Sequence, residues 1–134
     1  MSKLNDRQKP IFLSFVFALL GLTTSLNSSA QTPTYPTKPI KLIAPVAAGG
    51  GLDNIARAVA EKLSRSIGQT VVVENMGGGG GAIASQATAK APADGYTLMI
   101  AYVGTHGTNP AVRRLPYDAI KDFTPIGMIG ATPN

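Results

Sequence analysis

Glycine, rather than any titratable side chain, is the residue with most to offer chemically in this chain. It gathers in two clusters, Gly49-Gly50-Gly51 and Gly77 to Gly81. Each follows a short apolar stretch and precedes a helix-forming one. A loop without Cβ atoms lets the backbone approach a ligand closely. The first turn of the helix behind it adds unpaired N–H groups and the positive end of the helix dipole, which together favour a carboxylate or phosphate. The stretch Ile40 to Asp53 (IKLIAPVAAGGGLD) is therefore a candidate anion-binding loop, and the run Gly77 to Gly81 is a second. Glycines at strand-to-helix junctions also serve as plain tight turns. Two such loops at one sheet edge shift the balance toward a site.

Other chemistries lack their residues. His106 is the only histidine and cysteine is absent, so no His/Cys cluster is available for zinc, and no G-x-S-x-G nucleophile elbow occurs. His106, among Gly and Thr, reads as a solvent-facing loop residue. Asp118 and Asp122 are spaced to share a helical face, but turn acids are commoner than acid/base pairs. Gly77, Gly79 and Ala82 match a loose G-x-G-x-x-G/A pattern, yet neither the acid about 20 residues on nor a Walker lysine follows. No catalytic residue, metal ligand or cofactor is assigned.

The elements that must carry the loops follow from periodicity. Ile40, Leu42, Ile43 and Val46 make a first strand. Ile55, Ala56, Val59, Ala60, Leu63 and Ile67 form the apolar face of a helix that ends at Gly68, a natural C′ residue. Asp53-Arg57 and Glu61-Arg65 are acid-first i,i+4 pairs, each worth about 0.2–0.5 kcal/mol, and Asp53 suits a first-turn or capping role. Val71-Val72-Val73 is a second strand core, Ala82 to Lys90 a second helix, and Tyr96 to Tyr102 a third strand. Gly104 to Pro110 reads as a polar loop, Asp118 to Phe123 as a helical turn capped by Asp118, and Thr124 to Ile129 as the start of another strand. Repeated strand–loop–helix units imply an α/β fold with a parallel sheet whose loops gather at one edge. A parallel sheet needs both faces covered. The expectation is an incomplete unit, with Val71, Val73, Leu98 and Ile100 short of partners and the isolated chain marginally stable.

Residues 1–30 read as a targeting segment. Lys3, Arg7 and Lys9 form a basic n-region, Ile11 to Leu22 an apolar h-region, and Ser28-Ser29-Ala30 a cleavage site. The apolar run is short of the roughly 20 residues a membrane span needs. The chain lacks the cysteine of a lipid anchor. Residues 31–39 (QTPTYPTKP) form an extended, mobile lead-in. The net charge is +5 and falls to +3 once Lys3, Asp6, Arg7 and Lys9 are removed. The remaining basic residues are scattered except for Arg113-Arg114, so a nucleic-acid surface is not supported.

Four collinear segments, YPTKPIKLIAPVAAGGGLDNIARAVAEKL, GQTVVVENMGGGGGAIA, ADGYTL and LPYDAIKDFTPIGMI, resemble the start of the substrate-binding proteins of tripartite tricarboxylate transporters, the Bug family of periplasmic receptors. The resemblance implies a two-lobed, periplasmic-binding-protein-like (type II) fold, of which residues 40–134 form part of the first lobe and the second lobe is absent. It implies a periplasmic monomer that binds a small organic carboxylate and delivers it to a membrane permease. It also implies that two loops grip the carboxylate, largely through backbone N–H groups. By position these are Ala47, Ala48, Gly49, Gly50, Gly51, Leu52 and Asp53, and Gly77, Gly78, Gly79, Gly80, Gly81 and Ala82. Thr105 and Thr108 are the side-chain candidates in a third loop. The chain departs from the family at Ala48, usually Pro, at Leu52, usually Thr or Ser, and at Gly77-Gly78, usually Pro-Gly. Those changes imply looser loops with fewer donors.

Two classes of function follow: part of a solute-binding receptor, or a small secreted phosphate- or nucleotide-binding module or enzyme using the glycine loops. A third possibility is a truncated, non-functional product. Absence of Lys, Asp or His with the right spacing at the loops weighs against the second. The export reading makes a direct prediction. The protein recovered from the periplasm starts at Gln31, as N-terminal sequencing would show, and an intact Met1 in a soluble cytoplasmic fraction would refute it.

Overall fold

The structure, a computed structural model, describes residues 34–131. The targeting segment assigned to residues 1–30 lies outside the described residues. Three strands, β1 (Ile40–Ala44), β2 (Val71–Asn75) and β3 (Thr97–Met99), form one parallel sheet in the order β2-β1-β3. Helix α1 (Gly51–Ile67) connects β1 to β2, and a glycine turn at Gly79–Gly81 with helix α2 (Ala82–Ala89) connects β2 to β3. Beyond β3 lie a π-helical turn, Gly104–Thr108, and a short helix α3 (Asn109–Val112). The parallel α/β expectation holds.

The sheet pleat divides β1 between two environments. Ile40, Leu42 and Ala44 join Val71 and Ile100 beneath Ala56 and Ala60 of α1, all buried, with Leu52, Val59, Leu63, Ile67, Val73 and Leu98 packed around them. Small alanines at the centre of the α1 face let the helix sit close to the sheet. Ile43 is out of phase with Leu42 yet equally buried, and α2, whose Ala84 and Ser85 are fully buried, packs against β1 and β3. Gly68 stops α1 in the left-handed region at φ 66°. Ser64 Oγ then accepts the N–H of Val71 at 2.9 Å, carrying the chain from helix to strand.

Several elements differ from expectation. Val71 and Ile100 are buried and Val73 and Leu98 packed against the core, so the four residues expected to lack partners have them. Exposed apolar groups lie elsewhere, at Val103, Val112, Ile120, Ile126 and Met128. Ile55, assigned to the buried face of α1, is 44% exposed and lines a shallow groove with Ala58, Val59, Lys62 and Ile129. The third strand is shorter than the Tyr96–Tyr102 run. Segment Thr124–Ile129 forms no strand, because a pattern of apolar residues needs a neighbour to supply hydrogen bonds before it becomes one.

The lead-in from Tyr35 is fastened rather than mobile. Tyr35 Oη donates to Gly95 O at 2.6 Å, Thr37 N–H donates to Tyr96 Oη at 2.9 Å, and the Lys38 ammonium stands 4.2 Å from the Tyr96 ring centroid. Asp118 does cap its turn, accepting from the N–H groups of Ile120 and Lys121.

The packing predicts a contrast between β-strand side chains of similar size class. Leu42→Ala should cost about 2–5 kcal/mol in urea unfolding. Val72→Ala, at a residue 52% exposed, should cost no more than about 0.5–1 kcal/mol. Equal losses at the two positions would contradict this assignment of the core.

Candidate ligand-binding site

Because the strands are parallel, the loops after β1, β2 and β3 leave the same edge of the sheet, where open α/β sheets bind ligands. The ladder continues into them: Met76 N–H donates to Ala44 O at 2.9 Å and Ile100 N–H to Ile43 O at 2.9 Å. The three loops then meet. A Cβ built on Gly77 would lie 3.2 Å from Ala47 N, and one on Gly81 would lie 2.5 Å from Thr105 Cγ2 and 3.2 Å from Pro45 Cβ. At Gly81, with φ 86°, the first, second and third loops all come together. Only glycine fits there.

Asp53 shapes the first loop. The residue is 2% exposed, and its Oδ2 accepts from Gly49 N–H at 2.8 Å and Arg57 Nε at 3.1 Å, while Oδ1 accepts from Asn75 Nδ2 at 2.9 Å. Those donors, the Gly49 amide foremost, then Arg57 and Asn75, hold its pKa down at about 2 against the desolvation that opposes them. Gly49, at φ 90°, turns the chain so that its amide can reach back. Asp53 therefore organises the loop from within, and both of its oxygens are occupied.

The second loop is held by the opposite kind of bond. From Gly78 to Gly81 every φ is positive, a path closed to ordinary L-residues. Gly80 O accepts from Tyr102 Oη at 3.2 Å and Asn109 Nδ2 at 2.8 Å, and Gly79 O from Arg113 Nη2 at 2.7 Å. With the carbonyls taken, the amides are left over. Among the described residues, the N–H groups of Ala47, Ala48 and of Gly77 to Gly80 have no hydrogen-bond partner. These residues are exposed. The cluster has donors and no exposed acid, and so suits an anion.

The remaining site candidates divide clearly. Gly51 opens α1 with open space around it, Leu52 is half-buried against the core, and Ala82 starts α2. Thr105 is fully buried, its Oγ1 donating to Tyr102 O at 2.9 Å and accepting from Tyr102 N–H at 3.1 Å. Its hydroxyl closes a turn and faces no solvent. Thr108 is exposed at the end of the π-turn. The third loop is thus helical rather than irregular. His106 is half-buried with its ring 4.6 Å from that of Phe123 and 6.4 Å from that of Tyr117, not solvent-facing, and burial pushes its pKa down. Gly50, with φ −85°, does not need glycine for its backbone; a Cβ there would meet only Ala47 O at 3.9 Å. No motif signals Tyr102, Asn109 or Arg113, since their partners are backbone carbonyls more than twenty residues away.

Known proteins resemble this chain in sequence and fold. Residues 55–134 match the model of the tripartite tricarboxylate transporter family receptor. The chain belongs to that family. It is 39% identical over 115 residues to a UPF0065 protein from the tcbD-tcbE intergenic region of a Pseudomonas strain, covering 86% of this chain and 34% of the relative. It is 37% identical over 127 residues to the protein BugT of Bordetella pertussis, covering 88% of this chain and 38% of the relative. Among solved structures, MatC of Rhodopseudomonas palustris with bound malate superposes with a TM-score of 0.65 at 38% identity, over 68% of this chain and 31% of that one. An R. palustris protein with adipate gives 0.61 at 43% identity, over 63% of this chain and 29% of that one. The chain thus spans about a third of the length of these relatives, and the described α/β unit corresponds to part of a solute-binding protein lobe.

The Asp53 network predicts a defined acid response. Its folded pKa lies below the ordinary 3.8, so the stability it contributes is complete above pH 3.8 and is lost as pH falls through about 2. Asp53→Asn should lower the urea midpoint at pH 7, and the gap from wild type should close as pH drops across that window. A gap independent of pH would show that the carboxylate's charge is not what holds the loop.

Proposed function

We propose that this chain forms the ligand-gripping part of the first lobe of a periplasmic solute-binding receptor. The ligand is a small organic carboxylate, and the receptor hands it to the permease of a tripartite tricarboxylate-type transporter. The observation that carries the reading is the set of unpartnered amides at the meeting point of the first two loops. A carboxylate accepts several N–H groups at once, and the N-terminus of α1 adds its dipole. Relatives support the class of ligand, since two neighbours in structure hold malate and adipate. The family is one of receptors, and we read the protein as acting by binding on that ground. Residues 40–134 stand as part of the first lobe, and the partner lobe, the periplasmic location and the export through residues 1–30 belong to the same proposal.

The phosphate- or nucleotide-binding alternative has less support. No lysine stands at either glycine loop, and the edge cation, Arg113, is fastened to Gly79 O rather than placed behind a helix N-terminus.

Gly50→Val separates ligand approach from folding. The backbone there is already extended, at φ −85° and ψ 172°, and the space is open. Unfolding should therefore change little, while the new side chain stands where the ligand would approach the amides. Titration of the isotope-labelled protein with malate should shift the amide signals of Gly49 to Gly51 and Gly77 to Gly80 in wild type. Those shifts should vanish in the variant. Unchanged shifts in the variant, or wild-type shifts gathered elsewhere, would remove the cradle reading.

A further inference from the structure

Gly78 to Gly81 form an unbroken run of positive φ, and glycine has more backbone freedom to lose on folding than any other residue, so something must hold them. Their carbonyls show what does. Gly78 O accepts from Gly81 N–H at 2.9 Å within the turn, and Gly81 O accepts from Ser85 Oγ at 3.0 Å, one turn along α2. The two carbonyls between them are reached from the far side, chiefly by helix α3. Asn109 and Arg113 stand four residues apart, which stacks them on one face of its single turn. Asn109 Nδ2 donates to Gly80 O at 2.8 Å and Arg113 Nη2 to Gly79 O at 2.7 Å. Arg113 Nη2 also donates to Asn109 Oδ1, and the Arg113 N–H donates to Asn109 O at 3.1 Å. Pro110, just inside the turn, sets its φ in advance. Asn109 is 7% exposed, with its amide turned to Gly80 and Arg113, so it acts on the loop and not on a ligand.

We propose that Asn109 is a positioning residue for the binding site: it holds the second glycine loop in its binding shape before any ligand arrives, and so sets affinity without touching the ligand. The proposal rests on the amide-cradle reading above. A peptide plane carries a C=O and the next residue's N–H together, so fixing one fixes the other. With Gly80 O held by Asn109, the Gly81 N–H is aimed at Gly78 O, and the plane of Gly78 O carries the Gly79 N–H. Through Arg113, Asn109 also steadies Gly79 O, whose plane carries the Gly80 N–H. Two of the unpartnered amides are therefore oriented from one buried side chain. A loop that holds its amides in place only part of the time binds with an apparent Kd raised by the inverse of that fraction.

Asn109→Ala in the isotope-labelled full chain, with malate as the probe, tests this. Without ligand, backbone order parameters at Gly79 and Gly80 should fall from near the rigid value of about 0.85 to below about 0.6, while those of β1 and β2 hold. Malate should then bind about threefold to tenfold more weakly, the scale of one lost hydrogen bond. Tyr102→Phe removes the other side-chain bond to Gly80 O and keeps the ring. It should loosen the same glycines with about a twofold loss of affinity, and it decides the question if Asn109→Ala does not fold. Unchanged loop order and unchanged affinity would overturn the proposal. So would weaker binding to a loop that stays ordered, which makes Asn109 a ligand contact, or a loosened loop that binds malate as before. Malate that moves no glycine amide in wild type would sink the cradle reading and the affinity claim with it, and the order parameters would still decide whether Asn109 holds the loop.

Discussion

A carboxylate that is buried and still ionised is the constraint on which this fold turns. Taking a charge out of water is costly unless hydrogen bonds replace the water it loses. Asp53 meets that condition with donors from three separate places in the chain: Gly49 in the first loop, Arg57 one turn along α1, and Asn75 at the end of β2. The acid sits in the first turn of a 17-residue helix, where the dipole favours it as well. Because each donor belongs to a different element, their geometry is mutually fixed. The path of the first loop follows from that, and with it the close approach of Ala47 to Gly77.

The two glycine loops are secured in complementary ways. In the first, an amide is spent on an acid; in the second, carbonyls are taken by Tyr102, Asn109 and Arg113. Fastening a loop by its carbonyls leaves the amides as the surplus groups, and this is how a stretch without side chains acquires a chemical sign. Gly81 joins the arrangement to Pro45 and Thr105, so the loops are set by contact as well as by hydrogen bonds.

How far the residues alone foretell this depends on the range of the interaction. The span of α1 is readable because its apolar period and the Gly68 stop are local, and the parallel sheet because strand, loop and helix alternate. The resemblance carried by Tyr35 to Leu63 and the later segments points to the receptor family from residue order by itself. Asp53 and Arg57 are visible as a pair on one helix, but Asn75 is not, since no periodicity links residues 22 apart. The resemblance makes Thr105 a ligand-facing candidate by its place in the third loop; here Gly81 packs on its methyl and Tyr102 takes its oxygen. Ile55 and the segment Thr124–Ile129 show the same limit from the other side. An apolar residue announces that burial is favourable, and only a neighbouring surface decides whether it happens.

The order β2-β1-β3 also has a meaning in time. The strand at the centre of the sheet is the first of the three to be synthesised, and it cannot gain its second neighbour until Thr97–Met99 has been made. At roughly 5–20 residues per second, several seconds pass during which Ile40, Leu42, Ile43 and Ala44 have no complete sheet to enter. Lys41 is the only charge interrupting that stretch. Until then β1 can pair along one edge only, with β2, and the sheet is completed from its centre outward by the last strand made.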